Sequence, residues 1–116
     1  MILRDYFKLT IDQGASDLHL VARARASVRI NGLLQPINEE ILTDEFLTEE
    51  IQKLLLPDAW KKFQETREAD FSYESFGKRF RVNLHFQRGQ IALTARLISD
   101  LSPNPAALGF TDVMYN

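Results

Sequence analysis

The sequence predicts an α+β fold, in which an antiparallel sheet of five to six strands carries two to three helices on one face. Two observations favour this fold. Apolar residues recur with a helical period in residues 2–13 and 43–66, but with period two in residues 17–37 and from Ala69 onwards. The turn signal Asn31-Gly32 joins alternating segments as neighbouring antiparallel strands, since a type I′ turn needs positive φ at both central residues.

The N-terminal half begins with a predicted helix over residues 2–13, and Gly14 stands where a left-handed glycine commonly ends a helix. Three alternating strands follow, Asp17–Val21, Ser27–Asn31 and Leu33–Ile37. Because proline cannot donate a hydrogen bond to a sheet, the proline within the third segment predicts an edge strand or a strand end.

Two more helices are predicted before the chain returns to strands. Thr43 suits the N-cap of the first, whose apolar stripe includes Leu47 and Ile51. Pro57 suits the first position of the second, over residues 57–66. The remaining strands and turns follow in order: residues 69–74, the turn Phe76-Gly77-Lys78, residues 79–87, the turn Arg88-Gly89 and residues 91–97.

Composition narrows the class of protein. A chain of 116 residues suits one domain with a real core and is small for a complete nucleotide-dependent enzyme. Its 14 basic and 16 acidic residues argue against nucleic acid as the main partner, since phosphate binding needs a dominant basic field. The lack of cysteine favours a cytoplasmic location, and the charged, short N-terminal segment indicates neither a signal peptide nor a membrane span.

The polar sides of the predicted strands share one face of the sheet, which we call the open face. A solvated surface is one interpretation, because antiparallel sheets often expose one face. Its four arginines, two histidines and two asparagines, with no lysine, favour instead a docking surface or a source of anion-binding arginines. The open face consists of Asp17, His19, Arg29, Asn31, Asp70, Ser72, Glu74, Arg79, Arg81, Asn83, His85, Gln87, Thr94 and Arg96.

The sequence does not predict a catalytic site or a metal site. Asp17, His19 and His85 could converge on neighbouring strands, but no third histidine, cysteine or close ligand pair accompanies them, so no metal site is predicted. No serine or threonine lies in a glycine elbow. The five glycines form no Gly-x-x-x-x-Gly-Lys-Ser/Thr loop, so the chain alone is predicted not to be an enzyme.

Six motifs, in order and spacing, resemble the N-terminal domain of the PilT-type ATPases that retract type IV pili. They are similar, more distantly, to the matching domains of type II secretion and pilus-assembly ATPases. The matching segments are residues 14–20, 28–32, 68–73, 79–83, 87–89 and 95–98, and residues 108–110 resemble the linker that enters the catalytic domain.

The resemblance implies that residues 1–99 form a PAS-like N-terminal domain and that residues 100–116 are a linker towards a C-terminal RecA-like ATPase domain, absent from this chain. It further implies a homohexameric parent protein with ATP and Mg²⁺ bound between domains, and neither bound to this chain alone. The implied partners are the RecA-like domain of the same or a neighbouring subunit and the pilus machinery of the inner membrane. The implied location is cytoplasmic and peripheral to that membrane.

The resemblance also implies roles for individual residues. Arg81 and Arg96 match two arginines that approach the nucleotide phosphates when the domain closes, and Arg88 is a third candidate. Asp17 and His19 match the family's Ser-Asp-Leu-His segment, with docking against a catalytic domain as one role and a local hydrogen-bonded strand end as the other. The predicted docking residues are Asp17, His19, Arg29, Asp70, Asn83 and His85.

Three functions stay open at this point. The first is a regulatory and coupling domain of a pilus-type motor ATPase, without a choice between retraction, assembly and secretion. The second is a free-standing PAS-like sensor with a small molecule between sheet and helices, and the third is a protein-interaction module that uses its polar face. We expect the isolated domain to be a monomer, because the ring interface would need the absent domain.

Overall fold

The structure, a computed structural model, describes residues 1–100, with side chains up to Ile98. One six-stranded antiparallel sheet has the order β3-β2-β1-β6-β5-β4, which confirms the predicted α+β fold. The predicted linker, residues 100–116, lies outside the described residues except for Asp100. The elements are α1 (Leu3–Asp12), β1 (Asp17–Val21), β2 (Arg25–Ile30), β3 (Leu33–Ile41), α2 (Asp44–Leu54), α3 (Pro57–Thr66), β4 (Ala69–Ser75), β5 (Lys78–Gln87) and β6 (Gln90–Asp100).

Turn chemistry fixes the local strand pairing. Three two-residue turns each combine a non-glycine residue with a glycine, and both residues have positive φ, as type I′ geometry requires. These turns make β2–β3, β4–β5 and β5–β6 adjacent hairpins, as the sequence predicts. The turns are Asn31-Gly32 (φ 51 and 82), Phe76-Gly77 (φ 54 and 75) and Arg88-Gly89 (φ 53 and 80).

Helix ends also follow their local signals. Gly14 has φ +67 directly after the C-cap Gln13, so the predicted glycine termination of α1 is confirmed. The Thr43 hydroxyl accepts a 3.0 Å hydrogen bond from Phe46 N and caps α2, and Pro57 opens α3. None of the helices among residues 1–100 is long and apolar enough to cross a membrane.

Aromatic side chains hold the helices on one face of the sheet. The ring of Phe7 on α1 lies 4.8 Å from that of Phe80 on β5 and 5.0 Å from that of Tyr73 on β4. Phe63 on α3 stacks on Phe86 at 5.3 Å, and both Phe7 and Phe63 are almost completely buried. Because α2 joins the same core, the opposite face of the sheet has no helix over it within the described part of the chain.

The edge strand β3 departs from the prediction. It runs on to Ile41 instead of ending at Ile37, and its register with β2 shifts between Arg25 and Ser27. The polar segment after Ile37 shows no alternation in the sequence, since none of the residues of β3 is buried on either face of the sheet. Pro36 lies in this edge strand, where a missing hydrogen-bond donor costs little, so that prediction is confirmed.

A buried carboxylate joins two helices. Glu50 on α2 is only 8% exposed; its Oε1 accepts a 2.8 Å hydrogen bond from Leu3 N at the start of α1, and its Oε2 one of 3.0 Å from Lys53 Nζ. Burial opposes ionisation of Glu50, but these hydrogen bonds outweigh it and leave the pKa of the carboxyl below its usual value. Glu50 therefore serves as a charged cap for a helix whose N-cap, Ile2, has no capping side chain.

Candidate functional site

The strand register aligns charged residues of the open face in a row across the sheet. Arg29 on β2 lies opposite Asp17 on β1, and Asp17 lies opposite Arg96 on β6. Arg96 in turn lies opposite Arg81 on β5, which lies opposite Ser72 on β4. The structure therefore places both arginines predicted to contact phosphate in the same cross-strand row as the predicted docking residues Asp17 and Arg29.

A second row, two residues further along each strand, contains three more predicted docking residues, and the last one, His85, lies opposite Ala92 in the row after it. In it Ser27 pairs with His19, His19 with Thr94, Thr94 with Asn83, and Asn83 with Asp70. Residues two apart on a strand point to the same side, so both rows lie on the open face. The alternation in the sequence thus assigned these side chains to the correct face.

Asp17 is the buried charge at the centre of the first row. Its side chain is 9% exposed, whereas that of Arg96 is 74% exposed. Arg96 Nη2 lies 3.8 Å from Asp17 Oδ2, and His19 Nε2 lies 4.0 Å from the same oxygen. Both separations are too long for hydrogen bonds, so Asp17 attracts the Arg96 guanidinium through charge alone.

The surroundings of His19 favour its neutral form. Its Nε2 is buried and has no hydrogen-bond partner among the described residues. Burial lowers the pKa of His19; the Asp17 carboxylate opposes this shift, while Arg29 and His85 add to it. In its neutral form His19 does not compensate the negative charge of Asp17.

Other predicted residues have local partners. His85 Nδ1–H donates a 2.7 Å hydrogen bond to Asn83 Oδ1, and Asn83 Nδ2 lies 3.5 Å from Glu68 Oε2. Arg29 Nη1 donates to the carbonyl of Gly32 at 3.1 Å, which supports the β2–β3 turn. Within residues 1–98, no group of three or more histidine or acidic side chains lies close enough together to hold a metal ion.

Arg88 lies apart from the other two arginines. It occupies the exposed β5–β6 turn, seven residues along the chain from Arg81. At about 3.3 Å per residue this is roughly 23 Å, so this chain alone does not bring Arg88 to the Arg81–Arg96 pair. The open face also contains Leu34, opposite Arg29 and half exposed, which the sequence did not assign to it because the neighbouring Leu33 is equally apolar.

Comparison with curated proteins finds type IV pilus ATPases that are similar to this chain. The type IV pilus ATPase PilU of Pseudomonas aeruginosa is 26% identical over 108 residues, which are 92% of this chain and 28% of PilU. The type IV pilus retraction ATPase PilT of the same organism is 32% identical over 114 residues, which are 97% of this chain and 33% of PilT. No family model matches the chain.

A crystal structure of the pilus retraction motor PilT with bound ADP matches 97% of this chain and 33% of that one, with a TM-score of 0.77 and 29% identity. The chain is homologous to the N-terminal domain of PilT-type secretion ATPases. The ATPase DotB of Legionella pneumophila has the same fold, with a TM-score of 0.70 over 80% of this chain at 23% identity. The resemblance predicted from six motifs is confirmed, and the chain spans about a third of the length of the curated relatives that it matches.

Proposed function

We propose that this domain regulates and couples a pilus-type motor ATPase by supplying Arg81 and Arg96 to the phosphates of ATP held by a RecA-like domain. One observation supports this most directly: the two arginines are cross-strand neighbours on the open face. Like charges directly opposite each other destabilise a sheet, and an anion between them would remove the repulsion. Within residues 1–98, the side chain of Arg81 has no ion pair or hydrogen bond, and that of Arg96 has only the long contact with Asp17.

The chemistry that these arginines would perform is electrostatic. A guanidinium directed at the γ-phosphate stabilises the charge that develops there during phosphoryl transfer. ATP and Mg²⁺ would be bound by the catalytic domain, since this chain contains no Walker A loop. The domain would thus contribute to catalysis only when it closes on the nucleotide, which would couple its position to hydrolysis.

The rest of the open face would dock against the RecA-like domain of the same or a neighbouring subunit. Its support is the array of polar side chains, Asp17, His19, Asn83 and His85, on a face that no described helix covers. By analogy with the pilus ATPases it resembles, the parent protein would be a homohexamer at the cytoplasmic side of the inner membrane. Retraction, assembly and secretion would all use such a domain.

The test compares ATP hydrolysis by the full-length protein with and without each arginine. We expect Arg81→Ala and Arg96→Ala to lower kcat about 10²- to 10³-fold, the usual loss for a group that stabilises transition-state charge. Arg4→Ala is the matched control, because Arg4 is an exposed arginine on α1, on the covered side of the sheet. Wild-type rates in both test variants would contradict the arginine assignment.

A further inference from the structure

Asp17 is the acidic residue at the centre of the open face, and it needs a counterion. Its carboxylate is 91% buried, and a buried charge is costly unless a cation compensates it. Its cross-strand neighbours are Arg29 and Arg96. Arg29 directs its guanidinium to the Gly32 carbonyl, and His19 lies 4.0 Å away with its neutral form favoured by burial, so Arg96 is the principal compensating cation among the described side chains.

Arg96 therefore lies between two competing neighbours. On the β1 side, Asp17 attracts its guanidinium from 3.8 Å, and on the β5 side stands Arg81, a like charge. The contact with Asp17 is too long for a hydrogen bond and Arg96 is largely exposed, so a second anion can compete with Asp17 for the guanidinium. An anion over the β5–β6 pair would attract the guanidinium away from β1.

We propose that Asp17 is a positioning residue that competes with the bound anion for Arg96. In the anion-free chain it holds the guanidinium of Arg96 towards β1 and away from Arg81. A phosphate chain binds by bridging Arg81 and Arg96, and in doing so it draws Arg96 away from Asp17. The inference rests on the proposed function in taking the anion to be a nucleotide's phosphate chain, but the competition takes place within this chain alone.

A competitor differs from a merely structural residue in the sign of its effect. Removing a structural support for Arg96 would weaken anion binding. Removing the charge of Asp17 frees Arg96 and also takes away a negative charge that repels the anion. Neutralising Asp17 therefore strengthens anion binding, provided that Arg96 is present to respond.

The experiment titrates the 116-residue chain with inorganic tripolyphosphate at low ionic strength by isothermal calorimetry. We expect Asp17→Asn to lower the dissociation constant about two- to fivefold, the fold-change that corresponds to a partly exposed ion pair. Asp58→Asn is the matched control, since it removes the same charge from the exposed start of α3 on the covered side. Arg81→Ala and Arg96→Ala each abolish the binding, and Asp17→Asn on the Arg96→Ala background restores none of it.

Three outcomes would overturn the proposal. The first is an effect of Asp17→Asn no larger than that of Asp58→Asn. The second is weaker binding by Asp17→Asn while circular dichroism shows that it is still folded, and the third is no tripolyphosphate binding by the wild-type chain. If Asp17→Asn does not fold, the ¹³C shift of the wild-type Asp17 carboxyl is followed instead. It moves on saturation with tripolyphosphate if Arg96 leaves, and a fixed shift overturns the proposal. The proposed function is tested separately by the ATPase rate of the full-length protein. If Arg81→Ala lowers that rate, the proposed function stands even where the competition by Asp17 is refuted.

Discussion

Glu50→Gln tests whether a buried charge, and not merely a hydrogen bond, holds α1 against α2. The substitution keeps the size of the side chain and an oxygen that can accept the hydrogen bond from Leu3 N. It removes the negative charge at the N-terminus of α1 and places an amide group near Lys53 Nζ. The variant therefore separates the charge from the geometry of the contact.

The magnitude follows from the contacts. Hydrogen bonds to charged groups contribute about 1.5–3 kcal/mol, and a charge at a helix N-terminus about 0.3–1 kcal/mol. Lys53 is largely exposed, so solvent screens its ion pair with Glu50 and this pair adds little to the stability. Since glutamine keeps a neutral hydrogen bond, we expect Glu50→Gln to lower the free energy of unfolding by about 1–2 kcal/mol at pH 7.

The pH dependence gives the sharper test. The folded pKa of Glu50 lies below its unfolded value, so its charge stabilises the fold fully above the unfolded pKa, and this contribution is lost as pH falls through the folded pKa. Urea unfolding at pH 7 and pH 3 should therefore show a larger destabilisation at pH 7 than at pH 3. Glu49→Gln, on the exposed side of α2, is the control. Equal destabilisation at both pH values would refute the role of the charge.

Two further predictions concern the core and the turns. Phe7→Ala should lower the free energy of unfolding by about 3–5 kcal/mol, measured with urea, because Phe7 is fully buried against Tyr73 and Phe80. A decrease below about 1 kcal/mol would mean that the helix layer repacks freely. Gly32→Ala should lower the free energy of unfolding by about 1 kcal/mol or more. The cause is its φ of +82 alone, because a Cβ at this position would meet no other atom within 4 Å. An unchanged melting temperature would contradict the type I′ turn.

Much of the open face could be predicted from sequence, because alternation is a local property. In β5 the buried residues Phe80, Val82 and Leu84 alternate with Arg81 and Asn83, so the face of each side chain follows directly from the period. The type I′ turns then set the register within each hairpin. Local sequence therefore determined which residues share a face.

The neighbours across the sheet could not be predicted in the same way. The pairing of Asp17 with Arg96 joins strands far apart in the sequence, and only the packing of the whole core selects it. The burial of Glu50 could not be predicted for a related reason. The apolar stripe of a helix predicts that a charged residue is exposed, and the hydrogen-bond partner of Glu50, Leu3, lies 47 residues away in the sequence. Arg88 was grouped with Arg81 and Arg96 by a match of sequence motifs. Such a match does not give the distance between the matching residues in the fold.

The order of the strands has a consequence for how the domain is made. β1–β3 and β4–β6 are each built from consecutive strands, and the two halves of the sheet meet only where β1 pairs with β6. On the ribosome the first half can form its hairpins early, but Leu18 and Leu20 gain their neighbours Ala95 and Leu93 only after the last strand emerges. Until then β1 presents an unpaired edge next to apolar side chains, which makes the nascent chain prone to aggregation. Synthesis of β6 is therefore the step that closes the sheet and ends this exposure.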